Sequence, residues 1–293
     1  MAVTDTDSLL APEVRRAEAR RRRVLLVLMI LAVLSVLVPF LFWRGTWFGG
    51  ALTEQEVGRY LADLENPRHI QHALVQLSER IERGDTAVQR WYPEMVRLTD
   101  STVPEIRVTL AWVLGTNPQS EEFHGALQEL LKDPEPLVRR NAALSLVRFG
   151  DASGRDELVA MLRLYTVQAT TAGVVRHRLE EGNPVEQGTL LARVEGTDQQ
   201  ATEIRSPLPG TVQSRLVAEG TSVASGEDLL VLAPGAEHAW EALRALYLVG
   251  EREELQDVER FARSAFPGIP AKVQQQAAWT ADEIRRRDQG KKP

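Results

Sequence analysis

VQATTAGVVRHRLEEGNPVEQGTLLARVEG (residues 167–196) and EIRSPLPGTVQSRLVAEGTSVASGEDLLVLAPG (residues 203–235) are two versions of one phrase. Laying Gly173 on Gly210 sets Arg178-Leu179 over Arg215-Leu216. One residue of slippage then brings Gly182 onto Gly220, Val185 onto Val223 and Gly188 onto Gly226. In the first half, apolar and β-branched residues (Val167, Val174, Val185, Leu191, Val194) are cut at short intervals by Gly and Pro, the pattern of short strands joined by tight turns. Glu181-Gly182-Asn183-Pro184-Val185 supplies one such turn, because Gly takes positive φ at no steric cost and Pro fixes the φ that follows. One half cannot cover its own apolar face. Two halves about a pseudo-twofold can, so residues 166–235 are expected to pack sheet on sheet as an inserted all-β sandwich.

On either side the apolar period becomes helical, and the fold class is mainly α. In DPEPLVRRNAALSLVRFGD (133–151) the stripe is Val138, Ala142, Ala143 and Leu146, with Pro136 near the start and Gly150 just past the end, as an amphipathic helix requires. Asp133 and Asp151 are read as caps of this helix and the next. The stripe returns as Ile106, Leu110, Ala111 and Leu114, as Val273, Ala277, Ala278 and Ala281, and more loosely as Ile70, Leu74 and Val75. Each is preceded by another helical run, including 87–98 and 121–132. Paired helices at a regular period make an α-solenoid. RDELVAMLRLY (155–165) is a first helix with no partner directly after it, while Ala242, Leu246 and Gly250 repeat the register of Ala142, Leu146 and Gly150. The β module is therefore expected between the two helices of a fourth repeat, with 253–265 and 270–287 forming a fifth. Trp112 and Trp279 follow Ala111 and Ala278 and are read as packing between repeats.

Upstream, Met1–Val14 reads as a polar tail. Arg15, Arg16 and Arg20–Arg23 then precede Val24–Trp43, twenty residues without a charge. At 1.5 Å per residue such a helix spans about 30 Å, enough to cross a lipid bilayer. The arginine excess before it places the N-terminus in the cytoplasm. Phe40, Phe42, Trp43, Trp47 and Phe48 would form an interfacial belt, and the exit lacks a small-x-small cleavage site. The expected division is a basic cytoplasmic tail (1–23), a transmembrane helix (24–43), helical repeats (52–165), the β module (166–235), further helical repeats (236–287) and a polar tail (288–293). The expected location is a bacterial inner membrane, crossed once, with the bulk of the chain outside the cytoplasm.

Net charge is −6 over 293 residues, so no global basic field recruits nucleic acid. With no cysteine, disulfides, thiolate catalysis and cysteine-based zinc sites are excluded. His69 and His72 share a helix face but lack a third nearby ligand, and His177 stands alone. Neither a Gly-rich phosphate loop nor a nucleophile elbow occurs. Carboxylate pairs such as Glu180-Glu181 are read as solvated turns, and Arg285–Arg287 as a solvated helix end. The chain is thus expected to be no enzyme and to carry no metal or cofactor. A pocket lined by Arg176, Arg178, Arg205 and Arg215 would instead indicate partner or ligand binding.

Two stretches carry family resemblances. SPLPGTVQSRLVAEGTSVASGEDLLVL (206–232) resembles the second half of a biotinyl/lipoyl-type domain, the barrel-sandwich hybrid also found in periplasmic adaptor (membrane fusion) proteins. Biotinyl and lipoyl carriers need a lysine between the halves, and here no lysine occurs between Lys132 and Lys272. Adaptors place a long helical hairpin there, whereas only Gly196–Thr202 separates these halves. DPEPLVRRNAALSLVRFGD resembles the second helix of a HEAT repeat of the short kind seen in bilin-lyase-like proteins. These resemblances imply a non-catalytic scaffold or adaptor that holds protein partners, by analogy a transport complex of efflux or secretion. The alternatives are a ligand-sensing or envelope-polymer-binding protein and, with no nucleophile or acid-base set to support it, a bilin-lyase-like enzyme.

Overall fold

The computed structural model describes residues 25–26, 28–31, 33–38, 40, 51–196, 201–263, 266 and 268–290. The chain divides into two units, residues 1–55 and 56–293. In the first, the described residues from 25 to 40 are helical, with exposed side chains. Among the described residues no helix is long and apolar enough to cross a membrane. The expected span, Val24–Trp43, lies partly outside them.

In the second unit the β module has eight strands: β1 (Tyr165–Gln168), β2 (Gly173–His177), β3 (Pro184–Val185), β4 (Leu190–Glu195), β5 (Ala201–Arg205), β6 (Gly210–Arg215), β7 (Ser222–Val223) and β8 (Asp228–Pro234). They form two four-stranded sheets of order β1-β8-β6-β3 and β5-β4-β2-β7. Exchanging β1 with β5, β2 with β6, β3 with β7 and β4 with β8 turns one sheet into the other. The duplication is thus a structural pseudo-twofold, but a sheet is not a half: each sheet takes two strands from each copy. The matched pairs Val167 and Ile204, Val175 and Val212, Val185 and Val223, Leu191 and Leu229, and Val194 and Leu232 are all buried in one shared core.

The residue of slippage has a physical cause. Val175 pairs with Val194 and His177 with Ala192. Val212 likewise pairs with Leu232 and Arg215 with Leu230, but a β-bulge intervenes between Val212 and Ser214. Gln213 is the extra residue of that bulge. The bulge corrects the alignment, since His177, not Arg178, is the counterpart of Arg215. Each donates a side-chain N–H to a matched carbonyl, His177 to Val217 and Arg215 to Leu179. Gly173 and Gly210, which open β2 and β6, are matched by close approach: a Cβ would run into the carbonyl oxygens of Glu195 and Ala233 respectively.

The helices are α1 (Glu54–Leu61), α2 (Pro67–Glu82), α3 (Tyr92–Arg97), α4 (Pro104–Leu114), α5 (Glu121–Leu130), α6 (Pro136–Arg148), α7 (Arg155–Ala160), α8 (Ala236–Val249), α9 (Leu255–Ala262) and α10 (Ala271–Gly290). The even-numbered helices α2, α4, α6, α8 and α10 pack on one another in series, the inner layer of a solenoid. Their apolar stripes are buried, from Ile70 and Leu74 through Ile106, Leu110, Val138, Ala142 and Leu146 to Ala242, Leu246, Val273 and Ala277. The run expected as one helix over 87–98 is broken into a 3-10 turn (Thr86–Trp91), α3 and a second 3-10 turn (Leu98–Asp100). Pro93 opens α3, and its missing N–H is tolerated only in a first turn.

Charge and hydroxyl groups stitch the repeats. Arg107 on α4 forms a buried, two-pronged ion pair with Asp133, 2.6 and 2.9 Å. Its counterpart on α6, Arg139, reaches Glu157 on α7 at 2.9 Å. Asp133 and Asp151 do not cap as expected; residues 135 and 154 hold the cap positions of α6 and α7. Each aspartate instead accepts the backbone N–H two residues on, from Glu135 and Ser153, in an Asx-type turn. Ser145 donates to the Ala111 carbonyl and Thr280 to that of Leu243, both at 2.8 Å. These small hydroxyls let α6 and α10 sit close on α4 and α8.

Between α7 and α8 the chain leaves as β1 and returns as β8, and these two strands are paired, Tyr165 with Leu232. The module is thus joined by a two-stranded ladder. Beneath it, α8 packs on α7 and α6, while Arg155 pairs with Glu251 and Arg163 with Asp257 across the insertion. The solenoid closes under the module as though the strands were a loop.

Candidate functional site

One row of side chains recurs on the inner-layer helices, each one position after a stripe residue that is buried at Ala111, Ala143 and Leu243 and exposed at Val75 and Ala278. It is Gln76 on α2, Trp112 on α4, Leu144 on α6, Arg244 on α8 and Trp279 on α10. The structure corrects the reading of the tryptophans as packed between repeats: Trp112 is 43% exposed and Trp279 55%. The reason is angular. Trp112 stands two residues past Leu110, about 200° around a helix of 3.6 residues per turn, which points it away from the core. A helical wheel drawn on Leu110 carries that signal; position within the repeat does not.

Next to this row lie Val147, Arg148, Tyr247 and Leu248, and together they border two hollows. One, of ≈ 340 Å³, lies against Trp112, Leu144, Val147 and Arg148. The other, of ≈ 580 Å³, lies against Tyr247, Gln276, Trp279 and Arg286. Arg244 and Leu248 border both, so the hollows are parts of one groove across α6, α8 and α10. Exposed aromatic and aliphatic side chains in a concave setting are what a partner surface offers as anchors.

Charges in the groove are unequally matched. On α10, Arg286 is held by Glu283 at 2.6 Å and Arg285 by Asp282 at 2.7 Å. Arg287, one turn from the groove, donates to the Leu248 and Tyr247 carbonyls at the end of α8, satisfying groups a helix C-terminus leaves open. Arg285 and Arg286 are exposed, as expected of a solvated helix end, while Arg287 is half-buried against α8. Arg244 lies over the Trp240 ring at 4.7 Å, and Arg148 donates to the Gly115 carbonyl. Neither has a carboxylate partner among the described residues.

The four arginines singled out in the sequence lie on the β module. Arg176 pairs with Glu195 at 3.2 Å and Glu219 at 3.7 Å. Arg205 is bound by Glu203 and the Gly188 carbonyl. Arg215 meets Glu180 at 3.1 Å and the Leu179 carbonyl. Arg178 is exposed. These contacts have no partner group in common. Of the histidines, His69 is bound to Asp63 and stacked on Tyr60, His72 to Gln76 and His124 to Asp151. Among the described residues no three His, Asp or Glu side chains gather as metal ligands would. Burial alone would raise the carboxyl of Asp151. Hydrogen bonds from Ser153, His124 and Gln128 outweigh it and hold the group well below the usual carboxylate range.

A family model for HEAT repeats matches residues 93–177, and one described as biotin-requiring enzyme matches 166–232. The chain is a HEAT-repeat protein with an inserted biotinyl/lipoyl-like domain. The two matches overlap over 166–177, where the structure has β1 and β2, so those residues belong to the biotinyl/lipoyl-like domain. The comparison with curated proteins finds no match. A solved single-chain, multi-domain long-chain acyl-CoA carboxylase is similar at 20% identity and a TM-score of 0.24, over 36% of this chain and 10% of that one. A likeness so slight says nothing about shared activity.

Biotin and lipoate are attached by an amide, which needs an amine side chain. The biotinyl/lipoyl-like domain contains no lysine, and a guanidinium such as that of Arg193 or Arg205 is not acylated in its place. The residues present do not fit the group.

Proposed function

We propose that this HEAT-repeat protein is a membrane-anchored, extracytoplasmic scaffold or adaptor that holds partner proteins, in an assembly of the efflux or secretion kind. HEAT repeats and biotinyl/lipoyl-like domains are both recognition architectures, and function resides in the sites they display. The observation that carries the reading is the groove over α6, α8 and α10, where Trp112, Tyr247, Leu248 and Trp279 are exposed. Buried apolar side chains would need no further explanation. Exposed ones grouped in a hollow favour a surface that another protein covers.

Support for the anchor is the uncharged run Val24–Trp43 behind six arginines, together with exposed apolar side chains on the described residues from Leu25 to Phe40 apart from Ser35. An apolar surface all round a helix is stable in hydrocarbon and costly in water.

A photo-crosslinking amino acid at position 279 of the full chain, in intact membranes, tests the scaffold reading. One discrete protein adduct is expected, weakened by Trp112→Ala; no adduct at 279 or 112 would end this reading. Alkaline extraction tests the anchor, with retention in the membrane pellet expected and release into the supernatant against it.

A further inference from the structure

We propose that the groove across α6, α8 and α10 takes an extended acidic segment of a partner polypeptide, with one apolar side chain in each hollow and a carboxylate between them on Arg244. The proposal rests on the scaffold reading and gives the partner a chemistry.

Three observations lead to it. First, the hollows are apolar at their borders: Leu144 and Val147 flank one, Tyr247 the other, and Leu248 both. Second, the side-chain amides bordering the hollows, which could read a carbohydrate, are already engaged. The Asn141 amide donates to the Val108 carbonyl and that of Gln276 to the Thr280 hydroxyl. Third, the unmatched charge in the groove is positive. The acidic neighbours Asp282 and Glu283 are taken up by Arg285, Arg286 and Arg287. Arg148 and Arg244 have no carboxylate, and of the acidic side chains bordering the hollows only Glu241, one turn before Arg244 on α8, is left without an ion-pair partner among the described residues.

Arg244 borders both hollows, so it stands where a bound chain passes from one anchor to the next. A planar guanidinium with an open fork is suited to a carboxylate. Packed helices lie about 8–10 Å apart, and an extended chain of the polyproline II kind advances about 3.1 Å per residue with three residues per turn, so that side chains three apart share a face. The two anchors are therefore about three residues apart, with the acidic residue between them.

The test uses the full chain in lipid nanodiscs and three labelled peptides, identical except for a central Leu-Asp-Glu-Leu, Leu-Lys-Lys-Leu or Gly-Asp-Glu-Gly. Fluorescence anisotropy should show the first binding at least 10-fold more tightly than the other two, more weakly as salt rises. Trp112→Ala and Trp279→Ala should each weaken it about 10-fold. Arg244→Glu should invert the preference between the acidic and basic peptides. All three side chains are exposed, and unchanged circular dichroism would show that the variants fold.

Equal binding of the acidic and basic peptides, or indifference to Arg244→Glu, would overturn the proposal. So would a self-associated species in sedimentation that Trp279→Ala dissolves, since the occupant would then be a second copy. If the peptides fail while position 279 still crosslinks to one protein, the partner chemistry is wrong and the scaffold reading stands. If both fail, both fall.

Discussion

The β module and the helices around it are both built by repetition, and they use it in opposite ways. In the module two copies interleave, each sheet drawing two strands from each half. In the solenoid each inner helix meets the one before and the one after. Closing a fold on itself uses up the apolar surface, and the module's matched residues are spent on one another. Stacking in a line leaves the outward side of every inner helix unspent, and that is where Trp112 and Trp279 lie. A duplication makes a body; a row makes a surface.

The contrast makes the sharpest prediction at an ion pair. Asp133 and Arg107 are both largely buried, and removing one leaves the other charged and desolvated. Asp133→Ala should cost about 3–5 kcal/mol, read as a lower denaturation midpoint, with the earliest hydrogen exchange in α4 and α6. Burial alone would raise the Asp133 carboxyl, but Arg107 and the Glu135 amide outweigh it and leave it lowered. Its contribution is thus full above the ordinary aspartate value of about 3.9 and lost as pH falls below that through the folded value. The variant should lack this part of the acid limb; an unchanged limb would mean the pair is not what joins the second and third repeats.

Next in size is a test of the interleaving. Leu191→Ala and Leu229→Ala remove matched core side chains on opposite sheets, at about 2–5 kcal/mol each. Neither half can open alone, so both variants should raise exchange across all the longer strands alike. Protection lost only in 167–196 for one variant and only in 203–235 for the other would show two independent halves. The smallest effect is expected at Ser145→Ala, which removes the hydroxyl that donates to the Ala111 carbonyl. About 0.5–1.5 kcal/mol should be lost, confined to α4 and α6, with β2 and β6 unmoved. A change spreading into the module would contradict a nearest-neighbour array.

Much of this was legible as pattern. Period two with glycine punctuation marks the strands, and the spaced stripes of Ile106, Val138 and Val273 mark the inner helices, because those patterns are what burial demands of each element. The slip in the duplication was legible as well, but its place was not. A bulge is a local change of pairing that no composition records, and only the partners of Val212 and Ser214 locate it. The caps were not legible, because an aspartate three or four residues before a helix, as Asp133 and Asp151 are, serves an Asx turn as readily as its neighbours serve the cap. The four arginines share a strand-rich segment, but nearness in sequence does not gather them, and Arg176 and Arg205 lie beside separate glutamates.

By itself the sequence determined that a twice-written β unit interrupts a helical array, and that no lysine is present to carry biotin or lipoate, since periodicity and side-chain chemistry are properties of the chain. Only the tertiary structure decided how the two halves share their sheets, and which tryptophans are left outside. Strand exchange and exposure depend on which neighbours arrive to bury a surface, and neighbours distant in the chain, such as β1 and β8 or α6 and α8, are brought together by the fold alone.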